Sequence, residues 1–290
     1  MDKNNLQNTA YALSSSGKTY LLNDEFAICE TTGAHELTHP LKLRYNMIMV
    51  CLSGLVKIGL NLQNYTLAAR SMIFIPRDTI LEHFQGLDES ETITCLFTDE
   101  FYAEGTTESQ LIGQQFFQNP VSQISANSWE EVVTVFRLIE RKLTEEDNLY
   151  KKKAVMGYIS VLVSSGYNVL RQSLALSQEN DENRSMQVFR QFLLLVQQHY
   201  REHHNIMFYA DKICLTPKYL SKLVQQASGK LAGEWIAQYL LLEAKTLLSN
   251  QESSMLQISE LLNFSSPSAF IAFFKKHTGM TPKKYRSLYH

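Results

Sequence analysis

Four side chains between Thr216 and Gly229, in the stretch TPKYLSKLVQQASG, carry hydrogen-bonding groups at helical spacing. Lys218, Ser221, Lys222 and Gln225 stand at i, i+3, i+4 and i+7. A helix therefore puts all four on one face, opposite Leu220, Leu223 and Val224. Their chemistry suits base edges in a DNA major groove. Lys donates to guanine, Gln bonds bidentately to adenine, and Ser bonds to either. For such a stretch taken alone, the bland alternative is a solvated helix face.

Fifty residues on, Ser266 to Gly279 reads SPSAFIAFFKKHTG and repeats the pattern. Thr216 matches Ser266, Pro217 matches Pro267 and Gly229 matches Gly279, as do the apolar pairs Leu220/Phe270, Leu223/Phe273 and Val224/Phe274. The outward residues differ. Ser266, Ser268 and Ala269 occupy the first turn, and Ile271 and Ala272 follow one turn on. This face is poor in donors. It suits thymine methyls, or a position on the backbone with Ser266, Lys275 and Lys276 near phosphates. Thr281, Lys283, Lys284 and Arg286 are further phosphate candidates, whereas Tyr285 reads as core.

Other chemistry is weakly signalled. His199 and His203 are i, i+4 with His204 adjacent, a spacing that can hold zinc, but no third ligand is apparent. His35, His39 and His83 are scattered, and no nucleophile elbow, phosphate-cradling glycine loop or paired carboxylates stand out. Neither a metal nor a cofactor is expected. Arg44, Tyr45 and Arg70 are candidate contacts for a small-molecule effector, with strand-edge ion pairs and core as the alternative. Cys29, Cys51, Cys95 and Cys214 form no CxxC and read as reduced thiols.

The elements that would position these groups follow from local signals. A hydroxyl residue then proline, as in Thr216-Pro217 and Ser266-Pro267, is an N-cap followed by the first helical residue, and the glycines suit left-handed C-caps. Each repeat is thus a short helix with a defined start, buried face and stop, preceded by another short amphipathic helix (Phe208–Ile213 and Met255–Leu262). Asn263 stands where a left-handed turn residue is needed. Between the repeats, Leu231–Leu248 is a long helix with Trp235, Ile236, Tyr239, Leu240, Ala244 and Leu247 inward. Ahead of them, Val188, Phe189, Phe192, Leu193 and Val196 form one helical face.

Upstream the period is that of strands: Phe26–Cys29, Asn46–Leu52, Leu55–Leu60, Tyr65–Ala68, Ser71–Ile75 and Thr92–Phe97, with Ser53-Gly54 as a hairpin turn. Such spacing suggests a small barrel or a two-sheet sandwich. Residues 1 to about 20 read as a loosely held polar arm. From Trp129 the period turns helical, with Val132, Val133, Phe136, Ile139 and Leu143 on one face, and a second helix runs towards Leu176. Residues 177–185, SQENDENRS, form a linker.

Charge is divided along the chain. The net charge of −2 combines 13 Lys+Arg against 6 Asp+Glu from Arg184 onward, a balance of +7, with 14 against 23 before it, a balance of −9. A basic C-terminal third points to a polyanion. The N-terminus has no apolar signal core and no segment approaches the ~20 apolar residues that span a bilayer. A cytoplasmic protein without membrane contact is expected.

Residues 186–290 resemble the AraC family of bacterial transcription regulators. The resemblance is carried by Phe270–Arg286, FIAFFKKHTGMTPKKYR, which supplies the family's apolar helix ending in FKK and then G-x-T-P-x-x-Y-R. TPKYLSKL and AKTLL, at Ala244–Leu248, also fit. Ile271-Ala272 stand where the family has Ser-Arg, and Val224-Gln225-Gln226 where it has Phe-Lys-Lys. Residues 20–100 look like the cupin-type sensing barrel often joined to this domain. The expected fold is α+β and multidomain: a cupin-like β-barrel with its arm over 1–125, a helical dimerisation segment over 126–176, a linker over 177–185, and an all-α domain with two helix-turn-helix units over 186–290. The resemblance implies a sequence-specific, effector-responsive regulator, not an enzyme, that binds double-stranded DNA and meets RNA polymerase. The stripe from Val132 to Leu143 looks too long for a small barrel to use up, which points to a homodimer that buries it, with capping of the barrel's open face as the alternative. Rival readings are a cupin-like enzyme with a helical appendage, and an effector-independent regulator.

Overall fold

Short strands, the central ones buried along nearly their whole length, build the N-terminal half into two sheets. The computed structural model describes residues 6–14, 18–37, 40–87, 89–101, 120–145, 149–177, 184–249 and 253–289. It divides near residue 180 into two compact units. Residues 1–5 of the expected arm, His39, and residues 178–183 at the centre of the expected linker lie outside the described residues.

In the first unit, the larger sheet runs in the order β1 (Thr19–Leu22), β2 (Phe26–Thr32), β10 (Glu91–Phe97), β5 (Asn46–Ser53), β8 (Ser71–Ile75) and β11 (Val121–Gln123). The smaller runs β3 (His35–Glu36), β9 (Ile80–Gly86), β6 (Leu55–Leu60) and β7 (Gln63–Ala68), with β4 (Leu41–Lys42) also paired to β9. Among the described residues no ladder joins the two sheets into one closed barrel. The expected Ser53-Gly54 hairpin is instead a corner, because β5 belongs to the larger sheet and β6 to the smaller. Gly54 has φ +72°, and a Cβ there would lie 2.7 Å from the Ser90 Cα. Only glycine fits both the backbone conformation and the close approach.

One face of the larger sheet is buried under two helices, α2 (Ala126–Thr144) and α3 (Lys151–Ser177). Phe26, Ile28, Ile48, Val50, Phe74, Ile93, Cys95 and Phe97 from the strands meet Val132, Val135, Phe136, Ile139, Val155, Ile159 and Leu162 in a single cluster. Burying each large side chain contributes about 1.5–3 kcal/mol. This corrects the expected dimer face: Val132, Phe136 and Ile139 are buried against the sheet of their own chain, Leu143 packs at its margin, and Val133 is only half-buried. The stripe that looked too long for the sheet is filled because α3 lies beside it. Ion pairs from Arg137 to Glu30 and from Lys152 to Glu25 (2.7 Å) tie the helices to strand ends.

The expected loose arm is also corrected. Leu6–Leu13 forms a helix, α1, whose Leu6, Ala10 and Leu13 are fully buried. The Thr31 hydroxyl donates to the Leu13 carbonyl, and the Ser14 hydroxyl donates to that of Glu30 at 3.1 Å. Spacing of i, i+4 and i+7 among these three residues is the helical signal that the surrounding polar composition masks.

The second unit is all helical: α4 (Arg184–His199), α5 (Ile206–Lys212), α6 (Pro217–Ser228), α7 (Ala232–Ser249), α8 (Met255–Leu261), α9 (Pro267–Thr278) and α10 (Pro282–Arg286). α7 is buried on most sides, through Trp235, Ile236, Tyr239, Leu240, Leu242, Ala244 and Leu248, and packs against helices of both repeats. Glu243, 1% exposed, lies in this helix. Its carboxylate accepts the Tyr200 hydroxyl at 2.8 Å and pairs with Arg201, which fastens the end of α4 to α7. Burial, then the neighbouring Glu243 carboxylate, pushes the Tyr200 phenol well above its ordinary range. Among the described residues, no helix is long and apolar enough to cross a membrane.

Candidate nucleic-acid interface

The two repeats are built by the same local devices. At the start of α6 the Thr216 hydroxyl accepts from the Tyr219 N–H at 3.3 Å, with Pro217 following. At the start of α9 the Ser266 hydroxyl accepts from Ala269 at 3.2 Å, with Pro267 following. Such caps are worth about 1 kcal/mol each. The helices stop at Gly229 (φ +75°) and Gly279 (φ +77°), where residues with a Cβ are strained. The hydroxyls just before these glycines repeat as well: Ser228 donates to the Val224 carbonyl and Thr278 to that of Phe274, both at 2.8 Å.

The longer helix of each repeat follows a shorter one through a turn with a left-handed residue, Cys214 (φ +57°) and Asn263 (φ +53°). The Leu215 N–H donates to the Ala210 carbonyl at 2.9 Å, and the Phe264 N–H donates to that of Ser259 at 2.8 Å. Ser265 makes the second turn one residue longer. Inward, α6 buries Leu220, Leu223 and Val224, and α9 buries Phe270 and Phe274, with Phe273 against Phe264 (ring centres 5.1 Å apart). The Asn263 amide donates to the Glu202 carbonyl at 2.9 Å, so the second turn is tied to the segment that leads into the first repeat.

The outward faces carry the candidate side chains. On α6, Lys218, Lys222 and Gln225 are exposed and Ser221 is half-buried beside them. On α9, Ser268, Ile271, Ala272, Lys275 and Lys276 are exposed, while Ser266 is half-buried as the cap. Lys283 and Lys284 are exposed on α10, whose own cap is Thr281. Arg286 differs from the other cations. It is half-buried, and its guanidinium donates to the Ser253 carbonyl at 2.7 Å, which makes it a tie between α10 and the start of α8 rather than a free phosphate ligand. Tyr285 is buried against Phe274, as expected of a core residue.

Tyr219, 40% exposed, was not among the sequence candidates. It lies one turn before Lys222 and two before Gln226, and a helical wheel that included aromatics would have placed it at the edge of the same face.

Elsewhere the candidates disperse. His203 stacks on Phe208 with ring centres 3.6 Å apart, His199 meets the same ring edge-on, and His204 packs on Phe264. These histidines serve as aromatic packing around the α4–α5 junction. No group of three potential metal ligands occurs among the described residues. Arg44 and Tyr45 precede β5, whereas Arg70 follows β7 at φ +66° and donates its backbone N–H to Cys51. Since Met47 pairs with Ile75 and Cys51 with Ser71, these residues stand at opposite ends of β5, about 20 Å apart at strand rise, and do not form one effector site. The buried hydroxyls of Thr92 and Thr94 lie on the face of β10 opposite the helix-packed Ile93 and Cys95, and make no hydrogen bond among the described residues.

Comparison with known proteins places the recurring caps and turns in a wider setting. The profile of a helix-turn-helix domain family matches residues 209–287. The Msm operon regulatory protein of Streptococcus mutans is 22% identical over 241 residues, covering 83% of this chain and 83% of that protein. The arabinose operon regulatory protein of Salmonella typhimurium is 31% identical over 85 residues, which are 29% of this chain and 30% of that one. Among solved structures, ToxT from Vibrio cholerae aligns over 93% of this chain and 99% of its own, with 15% identity and a TM-score of 0.43.

Proposed function

We propose that the chain is an AraC-family transcription regulator with its helix-turn-helix domain in residues 209–287, and that each subunit reads two successive major-groove segments of one duplex. In this reading α6 supplies base contacts through Lys218, Ser221, Lys222 and Gln225. Lys275, Lys276, Lys283 and Lys284 neutralise phosphates, and α9 enters the second groove segment. The observation that carries it is the repeat itself. Two helices with the same caps, stops and buried faces present cation-bearing outer faces from a unit with a +7 balance. A solvated surface has no need of that duplication.

The protein acts without catalysis of its own, in the cytoplasm, on promoter DNA and in contact with RNA polymerase. The sheet-rich unit senses a small molecule. Thr92 and Thr94 support this, because buried hydroxyls lacking a partner among the described residues call for a polar group from elsewhere, such as water or a ligand. A homodimer is part of the proposal. Its surface would be the exposed Leu149, Tyr150 and Val161 around α3, since the inward stripe of α2 is already covered.

An electrophoretic shift of the full chain with fragments of its source genome tests the reading. Selective binding that weakens steeply with salt is expected, because each phosphate contact releases condensed counterions. Absence of a shift at low salt would overturn it.

A further inference from the structure

We infer that the second reading helix recognises the 5-methyl groups of thymine, so that its half of the operator is selected for T-containing steps. The inference rests on the proposed DNA-reading role and specifies what one of its two helices reads.

The two helices present the same four positions. Lys218, Ser221, Lys222 and Gln225 on α6 correspond, at the fifty-residue offset, to Ser268, Ile271, Ala272 and Lys275 on α9. Matching N-caps, prolines and left-handed glycines give the two helices equivalent starts and ends. Whatever groove position Ser221 and Lys222 reach in the first repeat, Ile271 and Ala272 reach its counterpart in the second. The chemistry there is inverted. Two donors are replaced by two apolar side chains, neither buried in the chain's own core: Ile271 is 36% exposed and Ala272 is exposed. The inward side of α9 is filled by Phe270 and Phe274, with Phe273 against Phe264, which leaves Ile271 outside that core with part of its side chain open to solvent.

An apolar pair on a helix otherwise flanked by Lys275, Lys276, Lys283 and Lys284 has one complementary surface in duplex DNA. The cations meet phosphates, and the only apolar group in the major groove of unmodified DNA is the thymine methyl. Ser268 adds a short hydroxyl that tolerates any base edge. Unlike a hydrogen-bonding pair, an Ile–methyl contact gains affinity by excluding water, so its contribution is set by one buried methyl group, about fourfold in Kd.

The test uses full-length protein and an operator selected from genomic fragments, with each thymine replaced in turn by deoxyuridine, which deletes only the methyl. At least one replacement should raise Kd about fourfold in the native protein and have no effect in Ile271→Ala. Lys222→Ala should leave that sensitivity intact. Because Ile271 is exposed, Ile271→Ala is expected to fold, checked by an unchanged melting temperature. Selective binding with no deoxyuridine effect that depends on Ile271 would overturn the inference and leave the regulator reading standing. Loss of all sequence-selective binding by the native protein would overturn both.

Discussion

The side-chain amide of Asn263 donates to the backbone carbonyl of Glu202 at 2.9 Å, across 61 residues of sequence. The turn of one helix-turn-helix unit is thereby bonded to the entry of the other. Together with α7, which packs on both, it fixes the relative placement of α6 and α9 within the second unit. Asn263 also holds φ +53°, a conformation Asn tolerates better than most residues with a Cβ.

Two substitutions separate those roles. Asn263→Gly relieves the backbone and removes the bond, while Asn263→Ala removes the bond and keeps the strain. Alanine should lower the stability of the helical unit by about 1–2 kcal/mol, and glycine by less. Equal losses in urea unfolding would mean that the left-handed conformation contributes nothing.

Glu243 should be the most sensitive polar residue of the second unit. Glu243→Ala leaves the buried Tyr200 hydroxyl without its acceptor, at a cost of about 2 kcal/mol, whereas Glu243→Gln keeps an acceptor and should cost less. With Trp129 replaced by Phe, fluorescence of Trp235 reports unfolding of this unit alone. An unchanged midpoint for Glu243→Ala would show that the network does not hold α4 to α7.

Thiol reactivity should follow burial. Cys29 is pushed up to about 12 and Cys51 to about 11 by burial, and Cys95 is raised well above its ordinary value for the same reason. At pH 8 all three remain neutral thiols, and Cys214 is the exposed one. Alkylation of native protein followed by mass spectrometry should label Cys214 alone, with the other three labelled only in denaturant. Rapid labelling of Cys29 or Cys95 would contradict the burial of that sheet.

Base and phosphate contacts should separate by their sequence dependence. Lys222→Ala is expected to cost on the order of 1–3 kcal/mol at one base pair and to relax preference there. Lys283→Ala should weaken binding to all sequences alike and shallow the salt dependence by about one ion. Uniform weakening by both substitutions would remove the proposed role of α6 in reading bases.

The helical unit was legible in the sequence because its signals are local. Thr216-Pro217, Ser266-Pro267, Gly229 and Gly279 each encode a helix end within three residues, and the apolar spacing encodes the buried face. What escaped depends on contacts distant in sequence. Gly54 reads as a hairpin turn until Ser90 is seen packed against it, and only strand pairing separates Arg70 from Tyr45. The α2 stripe reads as surplus until α3 covers its margin. Glu243 and Arg286 are charged residues whose partners, Tyr200 and the Ser253 carbonyl, lie more than 30 residues away. Thr92 and Thr94 gave no signal, since a Thr in a strand is ordinary.

In the proposed function one subunit carries two reading helices, α6 and α9, in fixed relation. A selected operator should contain two short elements about one helical turn, ~34 Å, apart on one face of the duplex. Inserting five base pairs between them turns the second element to the opposite face. Full-length protein should then bind no more tightly than to either element alone. Undiminished affinity for the expanded operator would contradict the account.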